Sequence, residues 1–432
     1  MMRRHIGVGS AISLSLCVAT GSYAAPSFDI IGQDFVGGVQ FINGNIRPSI
    51  AENGKVVFAA NTLPPAGSNA VFFTGDGINP LQSADYTTAG YTSPAVVKID
   101  SAGNLAYVGT RTANPHDFRG VYRTTTTGAA FSTVFEVEQV FGPPPVPSPQ
   151  SRLKMSGNGT IAFSNIQDGD GDLYTAAQGA AATILRAGSG TFFNNQKFDV
   201  NDSGAVAIQM EYTDPNNGLS RGILIFDTPG EGLADIETSV ERTGVGVQPN
   251  LAMNNLGQVA FILESNITIQ YFDPPLPGGG ALGGTQSLTP GVYMSTPSAF
   301  GTPFAFTKIA DTSGAFESFS EIRLNDNGTI VLQASVEVSP GNFETGIYTG
   351  GDPIADELVR TGKTININGN DNFFSVVRLG DLNHQDQLTF QTSDFNTTDQ
   401  IVWRANNVPE PGSVLMLMGL AGAYLSRGRH AR

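Results

Sequence analysis

Met253-Asn254-Asn255-Leu256-Gly257-Gln258-Val259-Ala260-Phe261 is the stretch that decides the fold. Read outward from its centre, it holds a tight turn between two apolar arms. Asn at the first turn position can accept a hydrogen bond from the backbone two residues on, and Gly at the fourth takes a positive φ that closes a hairpin. The alternation on either side marks both arms as strands. The pattern recurs. Val200-Asn201-Asp202-Ser203-Gly204 leads to Val206-Ala207-Ile208, and Leu324-Asn325-Asp326-Asn327-Gly328 leads to Ile330-Val331-Leu332. Met155-Ser156-Gly157-Asn158-Gly159 leads to Ile161-Ala162-Phe163, and weaker copies centre on Gly54 and Gly103. A last copy has Asp386 at the Gly position, after Leu382-Asn383 and before Leu388-Thr389-Phe390.

The centres lie 49, 56, 45, 53, 71 and 58 residues apart, which reads as one supersecondary unit carrying loops of variable length. Each unit holds two further strands. One is Gly-apolar-aromatic, as in Gly120-Val121-Tyr122, Gly291-Val292-Tyr293 and Gly346-Ile347-Tyr348. The other stops at Gly, as in Ile184 to Gly188, Val240 to Gly244 and Leu358 to Gly362. Four strands in each of seven units predict an all-β fold, a seven-bladed β-propeller. The last unit reaches only a third strand, Ile401-Val402-Trp403. Phe28-Asp29-Ile30-Ile31-Gly32 is the matching fourth piece, so the expected ring is closed by an N-terminal strand. Closure leaves only short edges, which suits an exported protein.

Composition agrees with many short strands: charged residues are 14 %, and 52 of 432 residues are Gly. The formal charge is −15. Setting aside the five arginines and one glutamate of the two ends leaves 18 basic and 37 acidic residues, a balance of −19. That excludes nucleic acid as a partner, because phosphate binding needs Lys and Arg. The one cysteine, Cys17, lies in the N-terminal leader, so the body has no disulfide, thiolate metal site or Cys nucleophile.

The ends read as processing segments. Arg3 and Arg4, the apolar run Ile6 to Ala19 and the small residues of Ser22-Tyr23-Ala24 form a signal peptide (1–24) cut by signal peptidase after Ala24. Residues 25–408 form the propeller, and 409–432 a tail. The tail holds Pro409-Glu410-Pro411, an apolar run from Val414 to Leu425, and Arg427, Arg429 and Arg432. The prolines keep the peptide extended, the apolar run can enter a bilayer as a short helix, and the arginines hold its end on the cytoplasmic side. This tail resembles the PEP-CTERM sorting signal of bacteria that export exopolysaccharide. The resemblance implies an exosortase as partner, cleavage near the motif Pro409, Glu410 and Pro411, and the extracellular space or outer cell surface of a Gram-negative-type bacterium as destination. At 12 residues the apolar run is short of the roughly 20 needed to span a membrane, so contact with the membrane is transient. The body resembles the tandem Asn-x-x-Gly-x-x-Ala-Phe repeat proteins, a likeness that implies no activity.

Candidate sites are expected on the end of the ring opposite the Asn-x-x-Gly turns, where insertions such as Pro143 to Pro147 and Asp273 to Gly284 gather. Asp168, Asp170 and Asp172 alternate as hard-cation ligands do, but Gly179 stands where a calcium loop would carry Glu. Ca²⁺ is the one cofactor considered. His116 and Asp117 share a loop, while His384 sits in a repeat turn. No convergent zinc set and no nucleophile elbow accompanies them. Tyr212, Phe343 and Phe395 fall in the same set of loops and could stack on sugar rings. These features predict a non-enzymatic surface protein that binds matrix polysaccharide or another surface protein. The alternative is a propeller enzyme acting on extracellular glycans.

Overall fold

Each Asn-x-x-Gly stretch does close a hairpin. In the computed structural model Gly54, Gly103, Gly159, Gly204, Gly257 and Gly328 all have φ between 74° and 87°, and Asp386 takes φ 55° at the equivalent place. The structure describes residues 26–409 except 35, 37–38, 42–46, 63–69, 80, 86–90, 114–115, 127–130, 140–152, 166–171, 187–197, 215–217, 227–236, 239–250, 264–265, 273–281, 297–304, 368–369 and 395–399.

The chain is all-β and forms a propeller of antiparallel sheets. Six blades, each cut from one stretch of chain, are found, where seven with the last closed by an N-terminal strand were expected. In order along the chain their second strands are Val56–Thr62, Asn104–Ala113, Ile161–Asn165, Val206–Asp214, Val259–Leu263 and Ile330–Ser339. Blade one has its inner strand broken into Val39–Gln40 and Ser49–Ile50, both paired with Val56–Thr62. Blade five carries an extra hairpin, Ile267–Phe272 with Leu282–Leu288, inserted between its second and third strands.

The remaining strands are not a further blade cut from one stretch of chain. They form a composite five-stranded sheet, because among the described residues no strand follows Gln400–Asn406 to serve as its outer edge. Ser27–Gln33 fills that edge, from Ser27 opposite Asn406 to Gln33 opposite Ile401. Arg404 ties the joint to two neighbours. Its Nη2 lies 2.6 Å from Asp29 Oδ2, and its Nη1 donates to the Gly54 carbonyl at 2.8 Å. Gly32 is required where it stands, since a Cβ there would come within 2.5 Å of the Phe58 ring.

The core lies between sheets rather than within one. Val57 and Phe72 of blade one pack with Leu105 and Tyr107 of blade two, and Ile31 and Val402 of the composite sheet pack on Phe58 of blade one. Trp403 is fully buried in the composite sheet, stacked on Phe390 and hydrogen bonded through Nε1 to Thr392. Such aromatic burial supplies the main stabilisation of each interface. Among the described residues no helix is long and apolar enough to cross a membrane. The expected sorting helix, the strand at Val240 to Gly244 and the signal peptide with Ala24 lie outside the described residues.

Candidate functional site: a charged cavity on the ring axis

Three of the turn Asn residues do more than shape their own hairpins. Asn254 Oδ1 accepts from the Leu256 and Gln258 amides at 3.1 and 3.0 Å. Its Nδ2 donates to the carbonyl of Asn325, the same position one blade on, at 3.0 Å. Asn325 repeats this toward Asn383, and Asn383 toward Ala51 of blade one, each at 3.0 Å. The next residue of each turn forms a second series. Asn255 Nδ2 bridges Asp202 and Asp326, each at 2.8 Å. His384 Nδ1 lies 3.2 Å from Asp326 and 3.6 Å from Glu52. Burial raises the Glu52 carboxyl above its usual range despite the opposing His384.

Two residues before each turn position stand Ser49, Lys98, Lys154, Asp199, Ala252, Arg323 and Asp381. They line a cavity of about 110 Å³ on the axis, just inside the ring of turns. Lys98 Nζ contacts both oxygens of Asp381 at 2.6 and 2.8 Å, and Arg323 Nε approaches the same carboxylate at 3.5 Å. Lys154 lies 3.3 Å from Asp199, whose other oxygen accepts from the Met253 amide at 3.0 Å. Glu321 sits between Arg323 at 3.4 Å and Arg47 at 2.9 Å. Burial alone would raise the Asp381 carboxyl, but Lys98 and Arg323 outweigh it and hold it well below the usual carboxylate range. Burial works against the Arg323 charge too, and Glu321 and Asp381 more than offset it. Opposite charges from five sheets thus neutralise one another across the axis.

This cluster was missed in the sequence reading, which looked to the far end. The signal was available: charged residues recur two positions before the turn in five of the seven units, as Lys98, Lys154, Asp199, Arg323 and Asp381.

The predicted residues are placed as follows. His116 pairs with Ala113, and Asp117 with Thr112, at the blade-two hairpin. Tyr212 pairs with Ser220 in blade four, and Phe343 with Glu337 in blade six, where its side chain is exposed. These hairpins lie at the end away from the turns, as expected, but belong to three different blades. Asp172 begins a strand of blade three and accepts from the Tyr174 hydroxyl at 3.2 Å. Asp168, Asp170, Phe395, Glu410 and Pro411 lie outside the described residues. Among the described residues no group of three or more His, Cys, Asp or Glu is placed to hold a metal ion. Pro409 follows Val408, which is buried and donates its amide to the Asp386 carbonyl at 2.9 Å.

Residues 407–429 match the PEP-CTERM protein-sorting motif. The motif indicates an exported protein processed for the cell surface, and it implies an exosortase as the processing enzyme. No curated protein matches the chain. Among solved structures, prolyl oligopeptidase B from Galerina marginata is 12 % identical, with a TM-score of 0.48; the match covers 82 % of this chain and 48 % of that one. The chain therefore spans about half the length of that enzyme. An oligogalacturonate lyase in complex with manganese is 10 % identical, with a TM-score of 0.47, covering 90 % of this chain and 97 % of that one. A polysaccharide lyase, Uly1, is 9 % identical, with a TM-score of 0.43, covering 82 % and 88 %.

Proposed function

We propose that this protein is a non-catalytic component of an exopolysaccharide matrix, exported behind a cleaved signal peptide and released or attached by an exosortase. In this reading it is a tandem-repeat propeller of a Gram-negative-type bacterium. It binds matrix polysaccharide through the loop-rich end that carries His116, Asp117, Tyr212 and Phe343. The observation that carries the non-catalytic part is the state of the axial charges. A general acid or base works best with a pKa near the working pH. Asp381 and Arg323 are instead driven further into their ionised forms by their partners, and Lys98, which burial pushes down, is held on both oxygens of Asp381. Charges locked in pairs serve to hold blades together rather than to exchange protons with a substrate.

The test is a glycan array probed with residues 25–408, with and without Ca²⁺. Binding to acidic or neutral polysaccharides without turnover is the expected result. Ca²⁺-dependent binding lost in Asp170→Asn would add a calcium site at Asp168, Asp170 and Asp172. Absence of binding in both conditions would overturn the polysaccharide reading, and depolymerisation of a bound glycan would favour an enzyme instead.

A further inference from the structure

The point where the chain leaves the ring is fixed. Gln400–Asn406 runs antiparallel to Leu388–Asp394, with Ala405 opposite Leu388, the first residue after the Asn383 to Gln387 turn. The strand therefore ends at the turn-bearing end of the ring. Asn407 then takes φ 56°, Val408 is 3 % exposed, and its amide is held by the Asp386 carbonyl. Only five residues, six Cα steps, separate Val408 from Val414, where the apolar run begins. Fully extended, six steps reach at most about 22 Å.

The same end presents apolar side chains. Val56 pairs with Gly75, and Leu332 with Tyr348, so the turns that follow Gly75 and Tyr348 open beside the Asn-x-x-Gly turns. Ile78 is 85 % exposed and Ile354 86 % exposed at the tips of these two turns. Each tip is held out by an aspartate: Asp76 accepts from the Ile78 amide at 2.9 Å, and Asp352 from the Ile354 amide at 2.8 Å. Leu256, inside a repeat turn, is 61 % exposed. These are the three most exposed large apolar side chains among the described residues, and all stand where the tail leaves.

We infer that, while the tail is inserted, the turn-bearing end of the ring faces the membrane and rests Ile78, Leu256 and Ile354 on the bilayer surface. The loop-rich end then points away, toward the matrix. This rests on the reading of 409–432 as a membrane-inserting sorting tail. The tether length decides the orientation. To put the loop-rich end on the bilayer, the tail would have to climb the height of a blade. The strand it leaves, Gln400–Asn406, already rises about 23 Å over 7 residues at roughly 3.3 Å each, and Ile330–Ser339 about 33 Å over 10, so even the fully extended tether falls short of that end. The acids around the axis on this face, Glu52, Asp202 and Asp326, offer nothing to an anionic surface, so the contact is apolar and set by the tether.

The test uses residues 25–432, which contain no cysteine. Single substitutions Ile78→Cys, Ile354→Cys and Phe343→Cys are labelled with an environment-sensitive dye and mixed with phosphatidylcholine vesicles carrying a nitroxide headgroup lipid. The chain is expected to co-float with the vesicles, with quenching at 78 and 354 at least twofold greater than at 343. Ending the chain at 408 is expected to abolish flotation and quenching together. Flotation with equal quenching at both ends, or stronger quenching at 343, would overturn the orientation and leave the tail reading intact. Flotation without quenching at any site would assign the exposed face to a protein or a second copy and overturn the membrane contact. Failure to float would overturn the tail reading and the orientation with it.

Discussion

Asp381→Ala is the perturbation that most directly tests how the ring is held. The carboxylate receives Lys98 from blade two at 2.6 and 2.8 Å and Arg323 from blade six at 3.5 Å, so across the axis it joins blade six, which flanks the composite sheet, to blade two, which lies beyond blade one. Removing one member of a buried ion pair costs about 3–5 kcal/mol, because the other charge stays desolvated. Unfolding entropy of about 2.1 cal/mol/K per residue gives roughly 0.8 kcal/mol/K for a ring of this size, so the midpoint should fall by about 4–6 °C. Trp403 is the chain's one tryptophan and is buried in the composite sheet, so its fluorescence on heating reports ring opening. The double variant Lys98→Met with Asp381→Leu should recover at least half of the loss, since an apolar pair of similar volume carries no desolvation penalty. The pH dependence has a definite sign. A carboxyl held below its unfolded value contributes stability that is present above about pH 4 and lost as pH falls through the folded value. The gap between the native chain and Asp381→Ala should therefore persist from pH 7 to pH 4 and close below it. A midpoint shift under about 1 °C, or a double variant no better than the single one, would refute the idea that this pair holds the ring.

Other positions make separate predictions. Asp386→Ala removes the acceptor for Asn325 Nδ2, Thr329 Oγ1 and Asn327 Nδ2 at 2.7, 2.7 and 3.1 Å, and should cost about 2–4 kcal/mol in urea unfolding, with Asp386→Asn much milder. Gly32→Ala should destabilise the N-terminal joint by about 1–3 kcal/mol through its clash with Phe58, with earlier proteolysis near residue 27 as the readout. Gly204→Ala meets nothing within 4 Å and should lose only about 1–2 kcal/mol, from its positive φ. Burial raises the Glu52 carboxyl, so its ionisation is a cost that grows as pH rises through its folded value. Glu52→Gln should accordingly gain stability over the native chain between pH 4 and pH 7 in paired thermal melts.

The fold was legible because its information is local. A turn that needs Gly at one place, between arms that alternate, is a hairpin whatever surrounds it. The N-terminal edge strand could be read because the last unit was one strand short. The blade count was one too high, since a repeat turn marks a hairpin and does not say whether the sheet built on it is a blade cut from one stretch of chain or a composite sheet of five strands. The axial cluster was hidden for a related reason. Lys98 and Asp381 are 283 residues apart, and the offset they share before their turns does not by itself say that they meet. Only ring closure makes them neighbours. His116 and Asp117 stand together in sequence, yet adjacency along one hairpin brings in no residue from another blade.

The turn Asn joins the two levels. Locally, Asp would serve as well: Asp100 Oδ1 accepts from the Ala102 and Asn104 amides at 2.9 and 2.8 Å, as the Asn residues do. A carboxylate cannot donate, however. Blades five and six and the composite sheet, where Asn254, Asn325 and Asn383 stand, each pass an Nδ2 hydrogen bond to the next turn carbonyl, and the last of these crosses the joint to Ala51. The amide is therefore needed where blades must be stitched to one another, most of all where the two chain ends meet. Replacing Asn383 by Asp should leave its hairpin intact but turn the donor to Ala51 into a repelled acceptor. Its cost should exceed that of the same change at Asn201, for which the turn amides of Ser203 and Ala205 are the partners at 3.1 and 3.0 Å. Equal costs at the two positions would mean that the turns, and not the stitching between blades, account for the recurrence of Asn.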